Sequence, residues 1–252
     1  MDPSIGACSR GATSEGAARS NLACSPANMA VPFHALALPS TVAWAACAVA
    51  VQLFFEHRGR PGPAGVAKMA AVAGFVVAAA FVAPTLPAPV RPWLWAAVVA
   101  CGIGDACLAL PGDRALLAGM AAFGVGHAGY AGAFVHLACK GRFDVIPATV
   151  AAGIVTVCGV IVVRRLAGRV ADALVGATVA YAAIITVMVA SAWGVATMHP
   201  WTAAGALAFA VSDVSVAEDR LVRPRFALRA WGLPLYFGAQ LAIVWGLAPV
   251  RS

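Results

Sequence analysis

Apolar residues in this chain come in long runs rather than in one-sided stripes. The runs recur from Leu36 to Leu247, and Pro, Gly and short charged clusters punctuate them. Each run is near the roughly 20 residues that cross a bilayer as a helix. They predict an all-α protein with about eight transmembrane helices: Leu36–Glu56, Val66–Ala83, Trp93–Leu110, Ala115–Ala138, Phe143–Val163, Ala171–Thr197, Trp201–Ala217 and Phe226–Leu247. Arg58-Gly59-Arg60-Pro61 closes the first, Pro84, Pro87 and Pro89 the second, and Pro111-Gly112 the third. Arg164 and Arg165 end the fifth, and His199-Pro200 stops the sixth.

Composition supports this reading. The 252 residues are 62% hydrophobic and only 11% charged, whereas a soluble domain carries about 25% charged residues. One soluble core of this length could not hide so much apolar surface. Residues 36–252 therefore form one polytopic membrane domain. Residues 1–35, rich in Ser, Ala, Gly and Asn, read as a disordered tail without the apolar core of a signal peptide.

The net charge of +7 does not call for nucleic acid, because the basic residues sit in short loops where anionic headgroups and the positive-inside bias account for them. Arg58, Arg60, Arg114, Arg164, Arg165, Arg169, Arg220, Arg223 and Arg225 fall in the odd-numbered loops; the even-numbered ones hold only Arg91, Lys140 and Arg142. The odd loops are expected in the cytoplasm of a cell membrane. Cys47, Cys101, Cys107 and Cys158 lie within apolar runs with no CxxC spacing, and read as small packing residues.

Against this background two residues stand out. Asp105 and Asp213 lie inside otherwise apolar runs, where a carboxylate costs about 2.5–3.5 kcal/mol at a helix centre. Anchoring in a membrane needs no such cost, so each is a candidate site. Both lie about five residues from the same end of their helices, roughly 7–8 Å deep at 1.5 Å per residue. Lys68 begins the second helix at that end. His127 sits mid-helix with Tyr130 three residues on, Tyr181 is near the middle of the sixth helix, and Tyr236 and Gln240 share a face of the eighth.

Several chemistries fit these residues. Either aspartate could be structural, paired with Lys68 or Arg229. Two carboxylates facing each other in a dry site would not both stay charged, and one would hold a proton as an acid while the other served as a base. That division suits hydrolysis. Asp105, Asp213 and His127 could instead hold a metal, or buried Asp, His and Tyr could form the proton relay of a transporter. No inverted repeat or pair of matched broken helices supports transport. A purely structural membrane protein would leave the two carboxylates unexplained.

Taken in order, Gly104-Asp105 with Leu108 and Leu110, Gly126-His127-Ala128-Gly129-Tyr130, Tyr181 with Met188, Ser212-Asp213, and Tyr236-Phe237-Gly238-Ala239-Gln240 resemble the YhhN family of lysoplasmalogenase-like integral membrane proteins. The resemblance spans about Lys68 to Leu247. In one departure, Met69 follows Lys68 where the family usually has proline.

The resemblance implies hydrolysis of the vinyl ether bond of a lysophospholipid substrate drawn from membrane lipid, with no organic cofactor and no metal. Asp105 and Asp213 would be the acid and base in unassigned order. His127 and Tyr130 would orient water or stabilise the hemiacetal. Lys68, helped by Arg229, would attract the lipid phosphate, and Tyr181, Tyr236 and Gln240 would line the cavity. The residues support this chemistry independently: protonating a vinyl ether carbon creates an oxocarbenium ion, which needs an acid, a nearby negative charge and a base for water, as in glycoside hydrolysis.

Overall fold

A computed structural model of the chain describes residues 33–139 and 141–249. Eight long helices follow in chain order: α1 Phe33–His57, α2 Pro61–Val82, α3 Arg91–Leu108, α4 Asp113–Ala138, α5 Val145–Leu166, α6 Asp172–Gly194, α7 Pro200–Ala217 and α8 Phe226–Gly246. No strand occurs among the described residues. The disordered tail expected for residues 1–35 lies outside them, except that α1 begins at Phe33.

The breaks fall where backbone chemistry puts them. Gly59 and Gly112 take φ values of 64° and 96°, a left-handed conformation that costs glycine little. Proline opens the first turn of α2, α3 and α7, where its missing N–H has no intrahelical partner to lose. This moves one expected boundary. Because Pro61 and Pro63 suit a first turn, α2 starts at Pro61 rather than Val66, and Lys68 lies two turns inside the helix instead of at its start. The sequence also gave no sign that α7 continues into a π-helical turn, Glu218–Val222, before α8.

Neighbouring helices pair as hairpins, α1 with α2, α3 with α4, α5 with α6 and α7 with α8. The further contacts α2–α3, α4–α6, α6–α7 and α8–α2 close six of the helices into a ring. Helix α1 covers α2 and α8 from outside, and α5 covers α6. The ring is built inside out relative to a soluble protein. Ile146 is 80% exposed and Val66 74%, while Lys68, Asp105, His127 and Gln240 are buried. Apolar outer faces with polar groups turned inward are what a bilayer solvent selects. The chain is a membrane protein.

Eight crossings are not established by length and composition. Four segments are long and apolar enough to cross: Leu36–His57, Pro61–Thr85, Val145–Leu166 and Asp172–Gly194. The remaining helices, α3, α4, α7 and α8, carry Asp105, His127, Asp213 and Gln240, the polar groups that dilute their apolar character.

Close approach of α3 and α4 depends on glycine. A Cβ at Gly129 would sit 2.9 Å from the backbone nitrogen of Ala97 and 3.0 Å from its Cα. Backbone cannot swing aside as a side chain does. Gly129→Ala is therefore expected to destabilise the fold by about 1–3 kcal/mol, as overpacking does. Gly153→Ala, where nothing lies within 4 Å, is expected to leave stability unchanged or raise it by up to about 1 kcal/mol. Unfolding of the purified variants in mixed micelles by increasing denaturing detergent compares the two directly.

Candidate active site

The ring, with α1 and α5 contributing side chains, borders a cavity of about 860 Å³ that opens at the arginine-bearing end. Its rim is formed by Gly59, Arg60 and Pro61 before α2, by Leu110 and Pro111 after α3, and by Asp219, Arg220 and Leu221 of the π-turn. Leu116, Met120, Phe123, Ile154, Val155, Ile185, Leu207 and Leu233 make its walls largely apolar. Lys68, Asp105, Tyr181, Asp213 and Tyr236 all face into it. The volume is within the range of a small-molecule site, about 300–1,000 Å³.

Two polar groups meet this cavity. The first is centred on Asp105. The Lys68 ammonium lies 2.9 Å from Asp105 Oδ1, with side chains 9% and 2% exposed. The Tyr236 hydroxyl donates to Asp105 Oδ2 at 2.6 Å. Behind it, Gln240 Nε2 donates to the Tyr236 oxygen at 3.2 Å, and the Tyr130 hydroxyl donates to Gln240 Oε1 at 2.5 Å. One turn of α8 separates Tyr236 from Gln240, so both point the same way.

The second group is centred on Asp213. Tyr181 Oη is 3.1 Å from Asp213 Oδ2. His127 Nε2 is 3.0 Å from Tyr181 Oη and 3.4 Å from Asp213 Oδ2. The other ring nitrogen, Nδ1, faces the Met188 thioether at 3.1 Å. An aromatic cluster touches both groups. The Phe209 ring is 4.6 Å from His127 and 5.1 Å from Tyr236, each near edge-to-face, and Phe123 packs 5.9 Å from Tyr236.

The geometry revises several expectations. The two carboxylates do not bond each other; entering the cavity from α3 and α7, each has its own cationic or ring-nitrogen partner. His127, Tyr130 and Gln240 are wholly buried and do not line the cavity. His127 contacts Tyr181 and Asp213, and Tyr130 reaches Tyr236 by way of Gln240, so neither His127 nor Tyr130 is placed to touch water in the cavity, and Gln240 is no wall residue. Lys68 is taken up by Asp105 rather than free for a phosphate. Arg229 lies 3.4 Å from both Glu56 and Asp219, and pairs with neither Asp105 nor Asp213.

Other contributors went unnoticed in the sequence. Asp219 accepts from the Arg225 backbone N–H at 2.7 Å, fixing the turn into α8. Arg220 donates to the Leu108 carbonyl at the end of α3, one turn past Asp105. Gln52 donates to Glu56 at 2.8 Å on the rim. Charged residues at helix ends read as solvated loops, and Phe123 and Phe209 read as ordinary apolar residues. The one legible signal is spacing: Phe209 precedes Asp213 by four residues and so shares its face.

Among the described residues, no three of His, Cys, Asp or Glu are grouped to hold a metal ion. The site is an apolar-walled cavity with two aspartates, each set in its own hydrogen-bonded surroundings. No curated protein and no solved structure matches the chain. The family model of the YhhN family matches residues 64–247, covering every residue of both polar groups, and the chain belongs to that family.

Proposed function

We propose that this protein hydrolyses the vinyl ether bond of lysoplasmalogens, releasing a fatty aldehyde and a glycerophospho-base. The observation that carries the proposal is the placement of Asp105 and Asp213 on one apolar-walled cavity, each with different partners. Membership of the YhhN family, whose members are lysoplasmalogenase-like, supports it. Cleavage needs a proton on the outer vinyl carbon, negative charge beside the resulting oxocarbenium ion, and a base for the attacking water. Two carboxylates in unlike surroundings supply these roles. The apolar walls accommodate an alkenyl chain and keep bulk water from the cation.

The phosphate is assigned to the rim. Lys68 and Arg229 are both engaged by acids, whereas Arg60 lines the mouth and forms no salt bridge among the described residues. The rim lies at the arginine-rich end, which the positive-inside bias directs to the cytoplasm. Arg60→Gln is expected to raise KM about 3–10-fold with kcat nearly unchanged, the pattern of binding lost equally from ground and transition states. Steady-state kinetics on mixed micelles tests this; a fall in kcat at constant KM would contradict it.

The deciding test of the function gives purified protein lysoplasmalogen, its saturated-ether analogue and its 1-acyl analogue. Aldehyde from the vinyl ether alone supports the proposal. Fatty acid from the acyl lipid would keep a hydrolase but change the bond, and no product from any of the three would favour transport.

A further inference from the structure

The hydrogen-bond polarity of the two groups distinguishes the two carboxylates. In the first group the direction is fixed at its far end. Tyr130 is fully buried, and its hydroxyl has no hydrogen-bond partner other than Gln240 among the described residues. A buried hydroxyl proton without an acceptor is costly. Tyr130 must therefore donate, which turns the Gln240 carbonyl toward it and the amide N–H toward Tyr236. The Tyr236 oxygen is then occupied as an acceptor, and its proton goes to Asp105 Oδ2. With the Lys68 ammonium donating to Oδ1, both Asp105 oxygens receive hydrogen bonds. Two donors, one of them an ammonium at 2.9 Å, favour the carboxylate form of Asp105.

The second group has the opposite polarity. A thioether can accept, weakly, and has no proton to donate, so a bare ring nitrogen facing Met188 would have no partner, and the neutral His127 ring is better satisfied with its hydrogen there. In a neutral ring, Nε2 is then a lone pair, facing the Tyr181 hydroxyl and Asp213 Oδ2. If Asp213 were a carboxylate, its Oδ2 and His127 Nε2 would compete for the single Tyr181 proton and would face each other as two lone pairs. A carboxylic acid at Asp213 resolves this: it donates to Tyr181, and Tyr181 donates to His127 Nε2. An imidazolium beside a carboxylate would also fill the contacts. His127, however, is fully buried against Phe209 and Met188, and separating charge there carries a desolvation cost that a neutral pair avoids.

We infer that Asp213 is the proton donor, held in the acid form by Tyr181 and His127, and that Asp105 is the fixed anion that faces the cation, with Tyr130 and Gln240 as positioning residues that force this polarity. The catalytic part of this assignment rests on the proposed ether hydrolysis. Asp213 gives its proton to the outer vinyl carbon as the C=C pair forms the new C–H bond. The ether oxygen's lone pair makes the oxocarbenium ion beside Asp105. Water adds to the cationic carbon and returns a proton to Asp213. The hemiacetal then loses its hydroxyl proton as the C–O bond to glycerol breaks and the glycerol oxygen takes up a proton, leaving the aldehyde, the alcohol and the starting enzyme.

The test is infrared spectroscopy of the substrate-free full-length protein in lipid at neutral pH, with aspartate side-chain carboxyls labelled with carbon-13. A label-shifted C=O stretch of a protonated carboxyl is expected in the wild type, lost in Asp213→Asn and kept in Asp105→Asn. Tyr181→Phe, which leaves both carboxyls in place, is expected to shift the frequency of the same band. Absence of the band from the wild type, its loss in Asp105→Asn, or an unmoved band in Tyr181→Phe overturns the assignment. Because no substrate is present, the readout is independent of the bond cleaved. A band in place with no aldehyde formed would overturn the hydrolytic step while leaving the location of the proton intact.

Discussion

Asp213→Asn is expected to lower kcat for aldehyde release by about 10²–10⁴-fold, the usual contribution of a positioned general acid, while the protein stays folded. Asparagine has nearly the shape of the acid it replaces. Its amide nitrogen, set where Asp213 Oδ2 now lies, can donate to Tyr181, which goes on donating to His127 Nε2, so neither buried group loses its partner. What it lacks is a proton acidic enough to reach carbon. The loss is therefore expected in kcat and kcat/KM together, with KM little changed, as for an interaction realised only in the transition state. Rates on lysoplasmalogen beside a melting curve of the same preparation provide the check. Turnover within a few-fold of wild type in a folded variant would remove Asp213 from the chemistry.

The sequence carried the helices and the candidate carboxylates for the same reason: a bilayer penalises polar groups so strongly that the exceptions are visible one by one. Asp105 and Asp213 needed no partner to be noticed. Pairing was less legible. Lys68 and Arg229 were equal candidates for Asp105, and the choice depended on where α2 begins. Starting at Pro61 places Lys68 two turns deep, level with Asp105, whereas Arg229 lies in the first turn of α8 beside Glu56 and Asp219 at the rim. Contacts between α4 and α8, such as Tyr130 with Gln240, join residues 110 positions apart, and no periodicity within either helix encodes them. The i, i+4 placement of Tyr236 and Gln240 was readable; that Gln240 lies behind Tyr236 rather than on the cavity wall was not. The π-turn was hidden for a similar reason, since Glu218-Asp219-Arg220 reads as a polar loop until Arg220 is seen capping α3.

The Lys68–Asp105 pair leads to the second large effect, in stability. Each side chain is almost entirely removed from solvent, and removing one member of such a pair strands the other as a buried charge, a cost of about 3–5 kcal/mol. Lys68→Met and Asp105→Asn are each expected to destabilise the fold on that scale. The double variant removes both charges. Met fills the lysine stem's place, and Asn still accepts from Tyr236, so its cost is expected to be well below the sum of the single costs, with a coupling of about 2–3 kcal/mol, in the upper range for residues in contact. Turnover should follow a different course, because the anion beside the oxocarbenium ion is missing from the double variant whatever its stability. Denaturing-detergent titrations of the four proteins, with aldehyde release measured on each, separate the two effects. Additive destabilisation would show that Lys68 and Asp105 do not sense each other as charges. A stable double variant that still turned over at the wild-type rate would show that Asp105 holds the helices together and takes no part in the reaction.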